Sequence, residues 1–454
     1  MSRRKRIGAL DHLLGATLAL GYIALLMASS SELAMSRDES FYVVAAERYG
    51  AWFEALFEDP SAALEPSAID REWGYNHEHP ALIKSLFALS HLAHSRWDLF
   101  ADDSMAYRFP AIVLAGLLIW LIYIFGARAY ARDAGLFAAL SFALLPRVFY
   151  HAHLACFDVP IVFLITLVTY CYWRSLTHPS WALWTGLSFG LALATKHNSW
   201  VLPGIFGVHF AWMALRERGW RRLDPRGKRV SCVPHWLYAM ILLGPMILVL
   251  SWPYVWHDTL ERLGWYAAFH LRHDYYNMAY FGVNYFRPPF PIGFPFVMAM
   301  FTLPATFLLL ALTGMLRRVP VLLPARWLAR LELRDRIDRS QTDLLFYGSI
   351  AAPLLMIALP SSPIFGGTKH WMPAYPFMAL FAGLSFALLA RSVRRWLGLH
   401  PLLARQLLRG LIASLLLLPS ALETVHSHPF GLSHYTYLAG GVPGAPGAKF
   451  KVAY

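Results

Sequence analysis

Ser36-Arg37-Asp38-Glu39-Ser40-Phe41 and, about forty residues on, His77-Glu78-His79-Pro80-Ala81-Leu82-Ile83-Lys84 both lie between the first hydrophobic stretch of the chain and the second. An acidic pair stands directly outside the first stretch. It opens an amphipathic, aromatic-rich segment from Phe41 to Phe57, and a His-Pro-x-Leu-x-Lys element follows before the chain turns hydrophobic again. This order decides the architecture: a chain threaded repeatedly through a membrane, with its polar chemistry gathered in one external loop.

Outward from that loop, composition sets the class. With 57% hydrophobic and 15% charged residues among 454, the chain exceeds what soluble cores absorb and reads as an all-α polytopic membrane protein. Hydrophobic stretches near 8–30, 108–128, 135–150, 158–174, 180–196, 199–215, 236–256, 291–313, 344–360, 372–391 and 406–425 predict roughly eleven spans, several shorter than the ~20 residues that cross a bilayer untilted.

The net charge of +13 does not indicate nucleic acid, because the cations collect in the short loops that alternate spans place on one side. Arg3 to Arg6, Arg216 to Arg229, Arg317 to Arg339 and Arg391 to Arg405 share that side, which the positive-inside rule makes cytoplasmic. Residues 31–107 are the reverse, with fourteen of the 27 acidic residues and five Lys or Arg. The chain is thus expected to be one membrane domain, 1–454, with 31–107, 257–291 and 426–454 external, the second of these rich in Tyr, Phe, Trp and His. Residues 8–30 are expected to be an uncleaved anchor, although Met27-Ala28-Ser29-Ser30 has the small residues of a cleavage site. Cys156, Cys171 and Cys232 fall at places that give no disulfide.

Two acidic signals point to chemistry. Asp38 and Glu39 sit at the outer end of the first span, where a carboxylate meets lipid-borne substrate without the ~2.5–3.5 kcal/mol penalty of the bilayer centre; the competing reading is a helix N-cap. Asp158 enters an apolar span in Ala155-Cys156-Phe157-Asp158-Val159-Pro160, and counting spans puts it at the same face as Asp38. Capping near Pro160 is its competitor. His151 and His153 precede it and read as interfacial packing. Lys84, Lys196 and Lys369 with His370 share that address. Each lysine alone reads equally well as snorkelling to the interface, but three cations at one face suit a lipid-borne phosphate. No metal is required by these spacings; the residues a divalent cation would have are Glu78 with His257, His270 or His273.

The order of first span, acidic pair and His-Pro-x-Leu-x-Lys element resembles the first external loop of the lipid-linked-sugar glycosyltransferases related to protein O-mannosyltransferases and to the aminoarabinose transferase of lipid A. Tyr107-Arg108-Phe109-Pro110 through Ile122 to Arg128, then Leu145-Pro146 and Asp158, is similar to the second to fourth spans of that superfamily. Lys369-His370-Trp371-Met372-Pro373-Ala374-Tyr375-Pro376 is similar to a basic-aromatic-x-x-Pro-x-x-Pro element of its bacterial members, and His428 to Tyr435 with Gly440 to Ala445 to an external segment in a bacterial branch.

The resemblance implies a GT-C fold whose external cavity takes a polyprenyl-phosphate sugar donor and passes the sugar, with inversion, to a glycan, lipid or protein acceptor. It aligns Asp38 with the catalytic base, with Glu39 its neighbour, Asp158 with a second acidic position, and Glu78-His79 with a site near the donor phosphate. No cofactor is required. The implied setting is a bacterial inner membrane, N-terminus cytoplasmic. Phe41 stands where lipid A-modifying relatives carry a basic residue, and Ala81 breaks the paired prolines of the mannosyltransferases. A transporter or flippase-like protein is the alternative, but it would place charges near the bilayer centre and show related halves.

Overall fold

The computed structural model describes residues 7–223, 233–330, 341–364, 366–398 and 401–441. Arg3 to Arg6, Cys232, much of the second and third cation clusters, and the tail from 442, including Gly444 and Ala445, lie outside the described residues.

Each hydrophobic stretch found in the sequence is helical. Among the described residues, Ala9–Glu32, Asp103–Ala129, Ala305–Leu322, Met372–Trp396 and Leu402–Ser427 are long and apolar enough to cross a membrane, and Trp181–Leu193, His235–Leu250 and Thr342–Ala358 are shorter apolar helices. Two expected spans are broken. The stretch 135–150 is Arg132–Ala143 and Pro146–His153, bent by 70°. Leu145 adopts the extended backbone that a following proline imposes. Likewise 291–313 divides at Leu303-Pro304 into Phe294–Thr302 and Ala305–Arg318.

The Asp103–Ala129 and Tyr375–Trp396 helices form the centre of the bundle, with Phe125, Tyr123, Phe377 and Phe381 fully enclosed. Backbones approach closely here: a Cβ on Gly126 would stand 2.7 Å from the Cα of Gly135, the small-residue contact by which membrane helices associate. Leu402–Ser427 lies at the periphery, with Leu403, Leu407, Leu411, Leu415, Leu418 and Leu422 exposed at helical spacing toward lipid.

The loop after the first span is itself helical. Arg37–Glu58 is opened by a capping box in which the Glu39 N–H donates to Ser36 Oγ (3.3 Å) and the Ser36 N–H donates to Glu39 Oε2 (2.8 Å). Its aromatic face packs Tyr49 and Trp52 on Trp73 of the Pro66–Trp73 helix, with Tyr49 and Trp73 stacked at 3.9 Å. Leu82–Trp97 follows, and the Leu82 N–H donates to the Ala194 carbonyl (3.1 Å), docking the His-Pro turn on the end of Trp181–Leu193.

The second loop carries the Thr259–Leu271 helix and a hairpin pairing Met278–Tyr280 with Val283–Tyr285. It is bolted to the first loop. Arg262 donates to both Asp70 oxygens (2.6 and 3.2 Å), and His270 Nε2 donates to the Glu78 carbonyl (2.7 Å). Burial pushes the His270 pKa down to about 4, so the ring stays neutral at pH 7.

Sidedness is open to a direct check. A cysteine at exposed Ser67 is expected to react with an impermeant maleimide added outside intact cells, and one at exposed Ser392 only after lysis. The reverse pattern would put the acidic pair in the wrong compartment.

Candidate active site

Asp38 occupies the first turn of Arg37–Glu58 and faces a cavity of about 460 Å³. Its wall draws on distant parts of the chain: Phe41 beside Asp38, His151 from the bent helix, Tyr276 from the second loop, Lys369 from the 366–371 turn and Tyr435 from the segment after the last span.

Lys369 Nζ donates to Asp38 Oδ2 at 2.7 Å, and the Asp38 side chain remains 43% exposed, so one carboxylate oxygen is engaged and the group is still reachable from the cavity. Burial works against the charge of Lys369, but the carboxylates of Asp158 and Asp38 outweigh it and hold its pKa above the ordinary lysine range. Gly366 and Gly367 take positive φ (65° and 58°). A side chain on Gly366 would run into the Lys369 stem, so glycine is what lets the lysine fold back toward Asp38.

Asp158 stands behind the cavity wall. It is 3% exposed, accepts from Lys196 Nζ at 2.7 Å, and lies 3.7 Å from His151 Nδ1. Both His151 nitrogens are buried without a hydrogen-bond partner. The arrangement is a file of alternating charge, Asp38, Lys369, Asp158, Lys196, running from the cavity inward.

Other residues singled out in the sequence are placed differently. The Glu39 carboxylate is fully buried: Arg108 grips both oxygens (2.8 and 3.1 Å), and the Ala155 N–H donates to one of them (2.9 Å). Arg108 also donates to the carbonyls of Ser30, Leu33 and Ala34, so the pair clamps the first span to the second and to the loop. With its oxygens occupied, Glu39 is held as an anchor.

Lys84 is likewise buried, its ammonium donating to Asn76 O (2.6 Å), Asn76 Oδ1 (3.1 Å) and His79 O (2.9 Å). Three acceptors match its three hydrogens, and it ties the 76–79 turn from beneath. Burial pushes its pKa down to about 7 against the pull of Glu78. The Glu78 side chain accepts from Asn76 Nδ2 (2.7 Å). His79 packs between Tyr42 and Phe157 and is held neutral, first by burial and then by Lys84 and Lys196. His370 faces a separate small apolar pocket with His197. Among the described residues no three His, Cys, Asp or Glu converge as metal ligands: His257 pairs with Asp70 (3.2 Å), His270 with the Glu78 carbonyl, and the His273 ring lies beside Phe269 and Tyr276. Sequence reasoning missed Arg108 as the partner of Glu39, and Tyr435 and His151 as cavity wall. A lone arginine one turn into an apolar span was the available signal for the first.

A helical membrane bundle whose two long loops close over a polar cavity at one end is the arrangement of the GT-C fold. Solved structures bear this out. The Cupriavidus metallidurans ArnT bound to undecaprenyl phosphate aligns over 84% of this chain and 61% of its own at TM-score 0.52 and 15% identity, and its apo form over 92% and 75% at 0.52 and 15%. The apo Archaeoglobus fulgidus oligosaccharyltransferase aligns over 91% and 55% at 0.53 and 12%. The chain therefore spans 61% of the length of the lipid-bound ArnT. Residues 87–252 match the family model described as dolichyl-phosphate-mannose-protein mannosyltransferase; no curated sequence matches the chain. The chain shares the fold of these solved structures, and its residues 87–252 resemble that family.

Proposed function

We propose that the protein transfers a sugar from a polyprenyl-phosphate donor to a hydroxyl-bearing glycan, lipid or protein acceptor at the external face of a bacterial inner membrane. The observation that carries this is the Asp38–Lys369 pair, 2.7 Å apart on the wall of the cavity, which supplies a base and a phosphate ligand side by side. A sugar phosphodiester already has a good leaving group, so no acid is needed to protonate it. Lys369 moves from Asp38 to the donor phosphate and stabilises the charge that develops there as the anomeric C–O bond breaks. Asp38, released, takes the proton of the acceptor hydroxyl as its oxygen attacks the anomeric carbon from the opposite side, which inverts the configuration. Asp158 keeps Lys369 charged and within reach. Phe41 makes part of the wall apolar where lipid A-modifying relatives are basic, which favours an uncharged portion of sugar or acceptor there.

The transport alternative has less support, since the charged groups around the cavity cluster at helix ends. Reconstituted vesicles given polyprenyl-phosphate sugar radiolabelled in the sugar separate the two. Label appearing in an acceptor with release of polyprenyl phosphate supports the transferase; label crossing the membrane still on its lipid supports transport.

Two lysines distinguish ligand from scaffold. Lys369→Ala is expected to weaken binding of polyprenyl phosphate by ~1.5–3 kcal/mol, the usual worth of a charge-assisted hydrogen bond, with the fold intact. Lys84→Ala is expected to lower the melting temperature and leave donor affinity in the folded fraction unchanged, because it strips donors from three acceptors in the 76–79 turn. Equal loss of donor affinity in both variants would restore the reading of Lys84 as a phosphate ligand.

A further inference from the structure

At the end of the bundle away from the cavity, two arginines on adjacent helices lie without a carboxylate partner among the described residues. Arg108 marks the cavity end of the Asp103–Ala129 helix, and Arg128 lies twenty residues further along it, ~30 Å at 1.5 Å per residue. Asp158 and Arg174 mark the two ends of Asp158–Ser175 in the same way. Phe125, one turn before Arg128, meets the Tyr170 ring edge-on at 5.1 Å, and Tyr170 lies one turn before Arg174 on its own helix, so the two arginines come to the same end of this helix pair beside Tyr170. Arg174 Cζ sits 5.0 Å over the Trp181 ring, and Tyr170 meets Trp181 edge-on at 5.7 Å.

Three other cations at this end pair with carboxylates: Arg132 with Asp11, Arg318 with Asp343 (2.8 Å), and Arg409 with Asp133 at 4.0 Å, while Arg216 donates to Gln341 Oε1 (2.7 Å). Among the described residues no carboxylate pairs with Arg128 or Arg174, and the Nε of each is buried with no acceptor. Bringing two unpaired guanidiniums together at a membrane boundary is unfavourable unless an anion joins them.

The surroundings name the anion. Both side chains are half-buried, and the Thr177-His178-Pro179-Ser180 turn that follows Arg174 is exposed. On the next helix Leu183 and Trp184 point outward, 54% and 56% exposed, and Trp184 lies one turn from Trp181 on the same side. A phosphate between two forked donors, an aromatic belt at headgroup depth, and an apolar strip beneath for acyl chains are the parts of a lipid-headgroup site. We infer that Arg128, Arg174 and Tyr170 bind the phosphate headgroup of an anionic phospholipid in the leaflet opposite the cavity.

Native mass spectrometry of the purified full chain with phosphatidylglycerol and with phosphatidylcholine tests this. The wild type is expected to retain phosphatidylglycerol roughly tenfold better, about one charge-assisted hydrogen bond's worth of preference. Arg128→Gln with Arg174→Gln is expected to abolish that preference, and a millimolar excess of inorganic phosphate to leave the bound lipid in place. Equal retention of the two lipids by the wild type, or an undiminished preference in the double variant, would overturn the site. Displacement by inorganic phosphate would overturn the lipid assignment in favour of a free-phosphate site. If the glutamine pair does not fold, Arg128→Lys with Arg174→Lys keeps both charges and removes the forked geometry. A several-fold drop in preference then supports the inference, and no drop contradicts it.

Discussion

Asp38→Asn is expected to lower the rate of sugar transfer by at least ~10²-fold while leaving donor binding and membrane insertion intact. The substitution keeps the side chain's size and its ability to accept from Lys369, and removes only its capacity to take a proton. Since the carboxylate is not enclosed and caps nothing with its side chain, the fold does not depend on its charge. Turnover near normal in folded Asp38→Asn would exclude it as the base, and the search would pass to Asp158, which would need to exchange its ion pair with Lys196 to act.

Arg108→Met is expected to have the largest effect on stability, ~3–5 kcal/mol, because it leaves the Glu39 carboxylate buried with no counter-charge. Both side chains are 1% exposed, so water cannot take the place of the guanidinium. Glu39→Gln is expected to destabilise as well, whereas the sequence implies that Glu39 is the less critical neighbour of a catalytic Asp38. Thermal unfolding in detergent measures both, and a melting temperature unchanged in Arg108→Met would contradict the clamp. Replacing the two together, Glu39→Gln with Arg108→Met, is expected to recover part of the loss, since no ion is then left unpaired.

The membrane bundle was legible because its cause is one-dimensional: hydrophobic length alone marked the helices from Ala9–Ser29 to Leu402–Ser427. The breaks at Leu145-Pro146 and Leu303-Pro304 were present as prolines but were absorbed into runs of apolar residues. Site residues were legible by side and not by depth. Asp38 and Lys369 were assigned to one face of the membrane and meet there, as do Asp158 and Lys196. Lys84 had the same address and the same chemistry, yet it is turned inward to hold the backbone of Asn76 and His79, something decided by the packing of the helices around the 76–79 turn and not by any local pattern. Glu39 was ambiguous for a related reason. Ser36-x-x-Glu39 predicts the capping box that forms, whereas its second partner, Arg108, is 69 residues away at the start of an apolar span.

The most direct test of the central claim, that the Asp38–Lys369 cavity binds a lipid-borne phosphate and does chemistry on it, is a structure of the protein determined with polyprenyl phosphate bound. Phosphate density is expected in that cavity, within hydrogen-bond distance of Lys369 Nζ, with Lys369 withdrawn from Asp38. Phosphate density elsewhere, with Lys369 still paired to Asp38, would contradict it.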